Sequence, residues 1–192
     1  MNIYERLDKI LPRLQERRFR ENKGLGNEIG FYIFDYDPED ELIVREHTKF
    51  LKQKMNTEGS NSRIIEFDLY EIALEILEDK NYLDKVFKME GQKGSPYVFN
   101  AIKKTLRLTS NNDLIVEYIK DRVNGRDIVF LTGIGKVWPI IRSHTILNSL
   151  HSIIEDVPLV MFFPGEYDGL ELKLFSEIKD DNYYRAFQLV ER

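Results

Sequence analysis

The chain contains no cysteine and no long apolar run, and each absence excludes a class of function. Without cysteine there is no disulfide, no thiol nucleophile and no cysteine-ligated zinc or iron–sulfur centre. No stretch approaches the roughly 20 apolar residues that a membrane-spanning helix needs. The first residues also lack the apolar core of a signal peptide. We therefore expect a cytoplasmic protein without a membrane segment.

An excess of positive charge is missing as well. The 192 residues include 28 basic and 33 acidic side chains, which gives a formal net charge of -5. The chain as a whole thus offers no general electrostatic reason to bind nucleic acid. Two local basic faces keep nucleic-acid contact open as an alternative: one lies within residues 13–20, and the other comprises Lys103, Lys104 and Arg107.

What the sequence does contain is an alternation of short apolar segments with longer amphipathic ones. Strands are predicted near residues 29–34, 63–67, 127–131, 159–163 and 184–190, with residues 170–175 forming a short strand or a helical turn. Helices between consecutive strands favour parallel crossovers. The prediction is one α/β domain over residues 1–192, a three-layer α/β/α sandwich with a mostly parallel sheet of about five strands. Such an architecture is similar to a degenerate nucleotide-binding fold of the P-loop-like or Rossmann-like type.

Four further segments complete this prediction. Residues 1–23 hold an amphipathic helix over about 2–21, which Pro12 kinks or divides, and residues 79–125 form a helical insert with a loop at 91–94. A long helix is expected from near Pro139 to about Glu155, and residues 164–169 are expected to be a turn-rich loop.

A glycine-containing loop at residues 132–136 invites comparison with phosphate-binding loops. The phosphate-binding motif needs G-x-x-x-x-G-K followed by Ser or Thr, but an apolar residue stands in place of its first glycine and Val137 in place of the hydroxyl. Trp138 replaces the third glycine of the dinucleotide fingerprint. The loop is therefore interpreted as a tight turn that uses the conformational freedom of glycine.

Asp35 and Asp37 form a D-x-D pair at the end of the first strand. Aspartate-based phosphohydrolases place a nucleophile and a general acid in this way, but Glu39 stands where a threonine usually follows. The favoured interpretation is that Asp37 caps a helix that begins at Pro38.

His144 and His151 lie seven residues apart on one predicted helix face. At a rise of about 1.5 Å per residue they are separated by roughly 10 Å, too far to share one ion. A polar, interfacial helix face is the interpretation that we retain.

Three runs of the sequence, at residues 130–145, 158–169 and 181–187, together resemble the BrxB family of bacteriophage exclusion (BREX) defence systems. The resemblance implies an accessory component without an established enzymatic activity. It also implies a protein partner, the alkaline-phosphatase-superfamily component PglZ, with other BREX subunits nearby. The motif and strand-end residues to follow are Asp35, Asp37, Gly133, Gly135, Lys136, Trp138, Arg142, His144, Pro164, Gly165, Glu166, Tyr167, Asp168, Tyr184 and Arg185.

Three hypotheses follow. The first is a non-enzymatic interaction subunit without cofactor or metal, docking through exposed aromatic and arginine side chains. The second is a magnesium-dependent nucleotide- or phosphoester-processing enzyme that uses Asp35, Asp37, Lys136 and Glu166. The third is a nucleic-acid-binding module.

Overall fold

A mostly parallel β-sheet forms the centre of the molecule. The computed structural model describes residues 1–21, 30–151, 153–154, 156–179 and 186–192. The strands are β1 (Phe31–Tyr36), β2 (Arg63–Asp68), β3 (Asp127–Thr132), β4 (Leu159–Tyr167), β5 (Leu172–Leu174), β6 (Ile178–Lys179) and β7 (Phe187–Gln188). The helices are α1 (Ile3–Asp8), α2 (Ile10–Gln15), α3 (Arg17–Arg20), α4 (Glu41–Met55), α5 (Leu69–Asp79), α6 (Leu83–Lys93), α7 (Ser95–Thr105), α8 (Leu114–Lys120), α9 (Ile134–Val137) and α10 (Ser143–His151).

The strand order is β2-β3-β4-β1-β7, with all four pairings parallel. Beyond the parallel sheet, β4 pairs antiparallel with β5, and β5 with β6. The chain leaves β1 for the far edge at β2 and then returns strand by strand. The predicted three-layer α/β/α sandwich is confirmed. Its strand order differs from the 3-2-1-4-5-6 of the dinucleotide-binding fold.

Alternating side chains of the central strands supply both hydrophobic layers. Phe34, Phe130 and Phe162 point to one face, where α1 to α4 pack. Ile33, Leu131 and Met161 are examples from the other face, which α5 and α7 to α10 cover. Strands buried on both faces read as continuous apolar runs, which is why these segments were recognisable in the sequence.

The N-terminal segment is not one helix but three short ones, α1, α2 and α3. Pro12 explains the first break, because a proline cannot donate to the carbonyl four residues earlier, here that of Asp8, and its ring crowds that carbonyl. The helix accordingly stops at Asp8, and a new one begins at Ile10.

The predicted long helix near Pro139 is wrong at its start. Helix α9 ends at Val137, a turn with a cis Trp138–Pro139 bond follows, and α10 begins only at Ser143. The residue before a proline avoids the α conformation, so Trp138, which has φ -66° and ψ 139°, cannot continue the helix.

The predicted loop at residues 164–169 is mostly strand. β4 runs through Tyr167. It pairs parallel with β1 as far as Pro164, and its last three residues pair antiparallel with β5. The segment at 170–175 is thus a strand in part, β6 was not foreseen, and the last strand, β7, spans only Phe187–Gln188. In the insert, the predicted loop at residues 91–94 is the end of helix α6.

Strand β2 lies at one edge of the sheet, and a side chain occupies part of that edge. The Asn56 amide donates to the Ile64 carbonyl oxygen (2.9 Å), and its oxygen accepts from the Ile64 N–H (2.7 Å).

In the described part of the chain, no helix combines the length and apolarity needed to cross a membrane.

Candidate functional site

The carboxyl ends of β1, β3 and β4 meet at one edge of the sheet, where ligands bind in open α/β folds. Asp35 of β1 lies beside Phe163 of β4. A Cβ atom on Gly135 would lie 3.2 Å from Pro164 and 2.8 Å from Phe175, so the turn after β3 packs directly on the β4–β5 hairpin. The edge therefore collects most of the residues that the sequence pointed to.

The Asp35 carboxylate is fully occupied by the protein itself. Its side chain is 1% exposed and accepts hydrogen bonds from the Arg6 guanidinium (3.0 Å), Arg192 Nε (2.7 Å) and the Tyr167 N–H (3.3 Å). Arg6 also donates to the carbonyl oxygens of Asp35 and Val190. Burial lowers the pKa of Arg6, and the charge of Asp35 opposes that effect. These bonds tie α1, β1, β4 and the segment after β7 together.

Asp37 does not cap the helix that follows it, so this part of the sequence interpretation is wrong. Its side chain makes no capping hydrogen bond, and Oδ1 instead accepts from Arg192 (2.9 Å). Arg192 also donates to the Gly165 carbonyl oxygen (2.7 Å). Arg192 thus donates to Asp35, Asp37 and Gly165. Its charge-assisted hydrogen bond to the Asp37 carboxylate explains why this side chain does not cap the short 3₁₀ helix at Pro38–Asp40.

Lys136 is bound to carboxylates of α5 and its cap. Nζ lies 2.5 Å from Asp68 Oδ2 and 3.4 Å from Glu71 Oε1. Gly133 has φ +75°, and a Cβ there would lie 2.2 Å from Asp68 Oδ1. Asp68 also caps α5 through the N–H of Tyr70. The loop is thus a tight turn against the start of α5, as the sequence indicated.

The hairpin residues divide into one buried anchor and two exposed acids. The Tyr167 hydroxyl donates to the Ala186 carbonyl oxygen (2.9 Å). Glu166 is exposed and lies 4.0 Å from Lys173. Asp168 accepts from the N–H groups of Glu171 and Leu170, and these bonds lower its pKa. Tyr184 and Arg185, also singled out in the sequence, lie outside the described residues.

Trp138 and Arg142 form the exposed part of this edge. Trp138 is 41% exposed, and both side chains border a cavity of about 160 Å³. The other residues that line the cavity are Ser143, Phe163, Leu172, Leu174, Ile178 and Lys179. His144 is half-buried, and its Nε2 lies 3.1 Å from the Thr145 hydroxyl. The ring of His151 makes a T-shaped contact with the ring of Phe31, so the two histidines lie in different surroundings.

Two residues of the enzyme hypothesis, Asp35 and Asp37, share Arg192, whereas Lys136 and Glu166 lie beside other side chains. Asp35 and Asp37 bind arginines, Lys136 binds Asp68, and Glu166 faces solvent beside Lys173. Among the residues that the structure describes, no group of three or more His, Asp or Glu side chains could hold a metal ion.

Arg6 and Arg192 are the site residues that sequence reasoning missed. Arg6 had a signal: it lies between Ile3 and Ile10 at helical spacing, so a charge falls within the apolar stripe of the N-terminal helix. Arg192 had none, because its contacts with Asp35 join residues 157 positions apart.

Comparison with known proteins assigns the family. The family model for BREX protein BrxB matches residues 65–189. The chain belongs to the BrxB family. It is similar to a BREX protein BrxB of Bacillus cereus (strain H3081.97), with 66% identity over 99% of this chain and 98% of the relative. It is also similar to a BREX protein BrxB of Escherichia coli O9:H4 (strain HS), with 36% identity over 96% of this chain and 90% of the relative.

Membership of the family makes the chain a component of a BREX system, which acts in phage defence. No solved structure matches it. The resemblance that the three sequence runs carried is thereby confirmed.

Proposed function

We propose that this BREX component works as a non-enzymatic interaction subunit that docks onto the PglZ-type, alkaline-phosphatase-superfamily component. The observation that carries the proposal is an exposed Trp138 beside Arg142, at an edge of the sheet where Asp35 and Asp37 are already bound to arginines of the chain itself. The exposed Trp138 and Arg142 at this edge are therefore of residue types that are enriched in protein interfaces.

Trp138 and Arg142 belong to the residue types that contribute most to protein interfaces. Tryptophan and arginine are enriched among residues whose truncation costs more than about 2 kcal/mol of binding free energy. The cavity beside them has a floor of Phe163, Leu172 and Leu174. Its volume of about 160 Å³ lies well below the roughly 300–1,000 Å³ of a small-molecule site. A hollow of that size suits one inserted side chain of a partner protein.

The internal bonding of Asp35 and Lys136 supports a role without catalysis. A catalytic carboxylate must reach its substrate, but Asp35 is enclosed by two guanidinium groups and a backbone N–H. Lys136 is likewise bound to Asp68. Substrate would have to displace these contacts before either residue could react.

Purified complexes test the proposal. The chain and the PglZ-type component encoded with it are co-expressed, and affinity is measured by calorimetry for the wild type and a Trp138→Ala/Arg142→Ala variant. We expect the double variant to bind at least about 30-fold more weakly, which corresponds to about 2 kcal/mol. A control variant, Phe87→Ala/Arg126→Ala, removes an exposed aromatic ring and an exposed arginine elsewhere and should retain wild-type affinity.

Two results contradict the proposal. One is separate elution of the two wild-type proteins in size-exclusion chromatography at micromolar concentration. The other is equal affinity of the double variant and the control variant, which would place the docking surface away from Trp138.

A further inference from the structure

The helical insert carries a positive charge that the rest of the chain does not share. Residues 80–107 contain seven basic and two acidic side chains, although the whole chain has a formal net charge of -5. The basic residues of this segment are Lys80, Lys85, Lys88, Lys93, Lys103, Lys104 and Arg107. Because of this excess of basic side chains, we expect a positive electrostatic potential at this part of the surface.

Two helices end beside each other in this segment, and both ends have the same geometry. At the end of α5, Asn81 has φ +56° and Tyr82 N–H donates to the Leu77 carbonyl oxygen. At the end of α7, Arg107 has φ +54° and Leu108 N–H donates to the Lys103 carbonyl oxygen. Each is a Schellman motif, which satisfies the last carbonyl groups of its helix.

The two helix ends bring three cations to one cleft. The cleft has a volume of about 420 Å³ and is lined by Lys80, Tyr82, Lys104, Thr105 and Arg107. In the described structure none of the three cations forms an ion pair, although Glu78, Asp79 and Asp84 are close in sequence.

The basic face near the N-terminus differs in this respect. Arg13 is bound to Glu16, and Arg17 to Glu21. Carboxylates thus already neutralise two of the arginines that the sequence offered as a phosphate-binding face. Lys80, Lys104 and Arg107, by contrast, have no carboxylate bound to them among the described residues.

Helix polarity alone does not account for the three cations. Each helix C-terminus corresponds to about half a negative charge, so two ends balance about one of the three positive charges. The Schellman hydrogen bonds have in addition satisfied the terminal carbonyl groups. A positive surplus remains at the cleft.

Arg107 occupies a position that glycine or asparagine usually takes. A left-handed backbone conformation is unfavourable for residues with a Cβ atom, and Asn81 follows the usual preference at the equivalent position of α5. An arginine at this point is locally destabilising, and the outlier therefore suggests a function for its side chain.

We propose that the cleft binds the phosphate backbone of single-stranded nucleic acid. Lys85, whose Nζ lies 4.8 Å from the centre of the Tyr82 ring, extends the positive surface beyond the cleft, which fits a polyanion better than a single phosphate. Exposed aromatic rings accompany the cations: Tyr82 lines the cleft, and helices α6 and α7 carry Phe87 and Tyr97, which are 66% and 45% exposed. Unstacked bases bind to aromatic rings of this kind, which favours a single strand over a duplex. The inference does not depend on the docking proposal.

Fluorescence anisotropy with a labelled, mixed-sequence DNA oligonucleotide tests the inference on the full chain. A Lys80→Gln/Lys104→Gln/Arg107→Gln variant is compared with a control of equal charge change, Lys9→Gln/Arg18→Gln/Lys120→Gln, whose side chains are exposed elsewhere. We expect the first variant to bind at least about tenfold more weakly and its slope of log affinity against log salt to fall by about 2. The control should keep the wild-type slope.

A single substitution separates binding from stability. In Arg107→Gly the left-handed position becomes favourable, so we expect a higher melting temperature together with weaker oligonucleotide binding. A variant that merely unfolded would lose both.

Three outcomes overturn the inference. They are no oligonucleotide binding by the wild type at low salt, equal losses in the cleft variant and the control, and competition by inorganic triphosphate as effective, per phosphate, as by the oligonucleotide. Tighter binding of the matching duplex than of the single strand would overturn the assignment to single-stranded nucleic acid.

Discussion

Asp35 joins two arginines that lie far apart in the sequence. Arg6 is buried with it, and removal of the Asp35 charge would leave that guanidinium without its ion-pair partner. We expect Asp35→Asn to lower the free energy of unfolding by about 3 kcal/mol, since a buried charge that loses its partner typically costs that much. Urea denaturation measures the change.

Asp37→Asn is the matched control for this substitution. Asp37 is exposed and contacts the same Arg192, so its loss should cost less than about 1 kcal/mol. If Asp35→Asn were as stable as the control and yet abolished phage defence, the carboxylate would have a reactive role that this structure does not assign.

His47 makes the stability of the protein depend on pH. Burial lowers the pKa of His47, against the opposing charge of Asp8. Its Nε2 is buried and has no hydrogen-bond partner among the residues that the structure describes. The folded pKa thus lies below the unfolded value of 6.5. The unfolded state binds the proton more readily, so the contribution of neutral His47 to stability is complete above pH 6.5 and falls as the pH drops towards the folded pKa.

Urea midpoints at about pH 8 and about pH 5.5 test this dependence. The wild type should lose more stability between the two conditions than His47→Gln, which cannot take up a proton. Equal losses would show that His47 is not the group responsible.

At the scale of elements, the turn between β3 and α9 depends on a glycine. In Gly133→Ala the new methyl group would lie 2.2 Å from Asp68 Oδ1 at φ +75°. We expect a destabilisation of about 2 kcal/mol or more from strain and overlap. Gly125→Ala, where nothing lies within 4 Å of the new atom, should change stability by less than about 0.5 kcal/mol. Similar melting temperatures for the two variants would contradict this account of the turn.

Elements with a local cause were predictable from the sequence, and those that depend on distant partners were not. The buried strands β1, β3 and β4 are continuous apolar runs, and Asp68 caps α5 from the position directly before the helix. The extension of β4 through Tyr167 was not foreseen, because Pro164 and Gly165 are typical of turns. Its stability comes from pairing with β5, which no local pattern shows.

The candidate site shows the same division. Gly133 was correctly assigned to a turn, because a glycine after an apolar strand is a local signal, whereas Gly135 lies in the short helix α9. The partners of Asp35 were invisible, since Arg6 and Arg192 reach it only once the sheet and the N-terminal helices have formed. The sequence therefore pointed to residues that the structure brings to one edge of the sheet, but not to the contacts that they make there.

For the molecule as a whole, helix α6 should open first. None of its residues is buried, whereas α5 buries Leu69, Ile72, Ala73 and Leu77. Regions with few buried contacts exchange their amide protons through low-energy local openings. Hydrogen exchange followed by mass spectrometry should therefore show faster exchange for Leu83–Lys93 than for Leu69–Asp79. Equal protection of the two helices would mean that the insert opens only with the core.

The Asn56 amide at the rim of β2 has a consequence for how the protein behaves at high concentration. Its donor and acceptor pair with Ile64 in the way that a further strand would. An extended segment of a neighbouring molecule would have to displace this side chain before it could form backbone hydrogen bonds with β2. We therefore expect the Asn56 side chain to hinder edge-to-edge association of the sheets of two molecules.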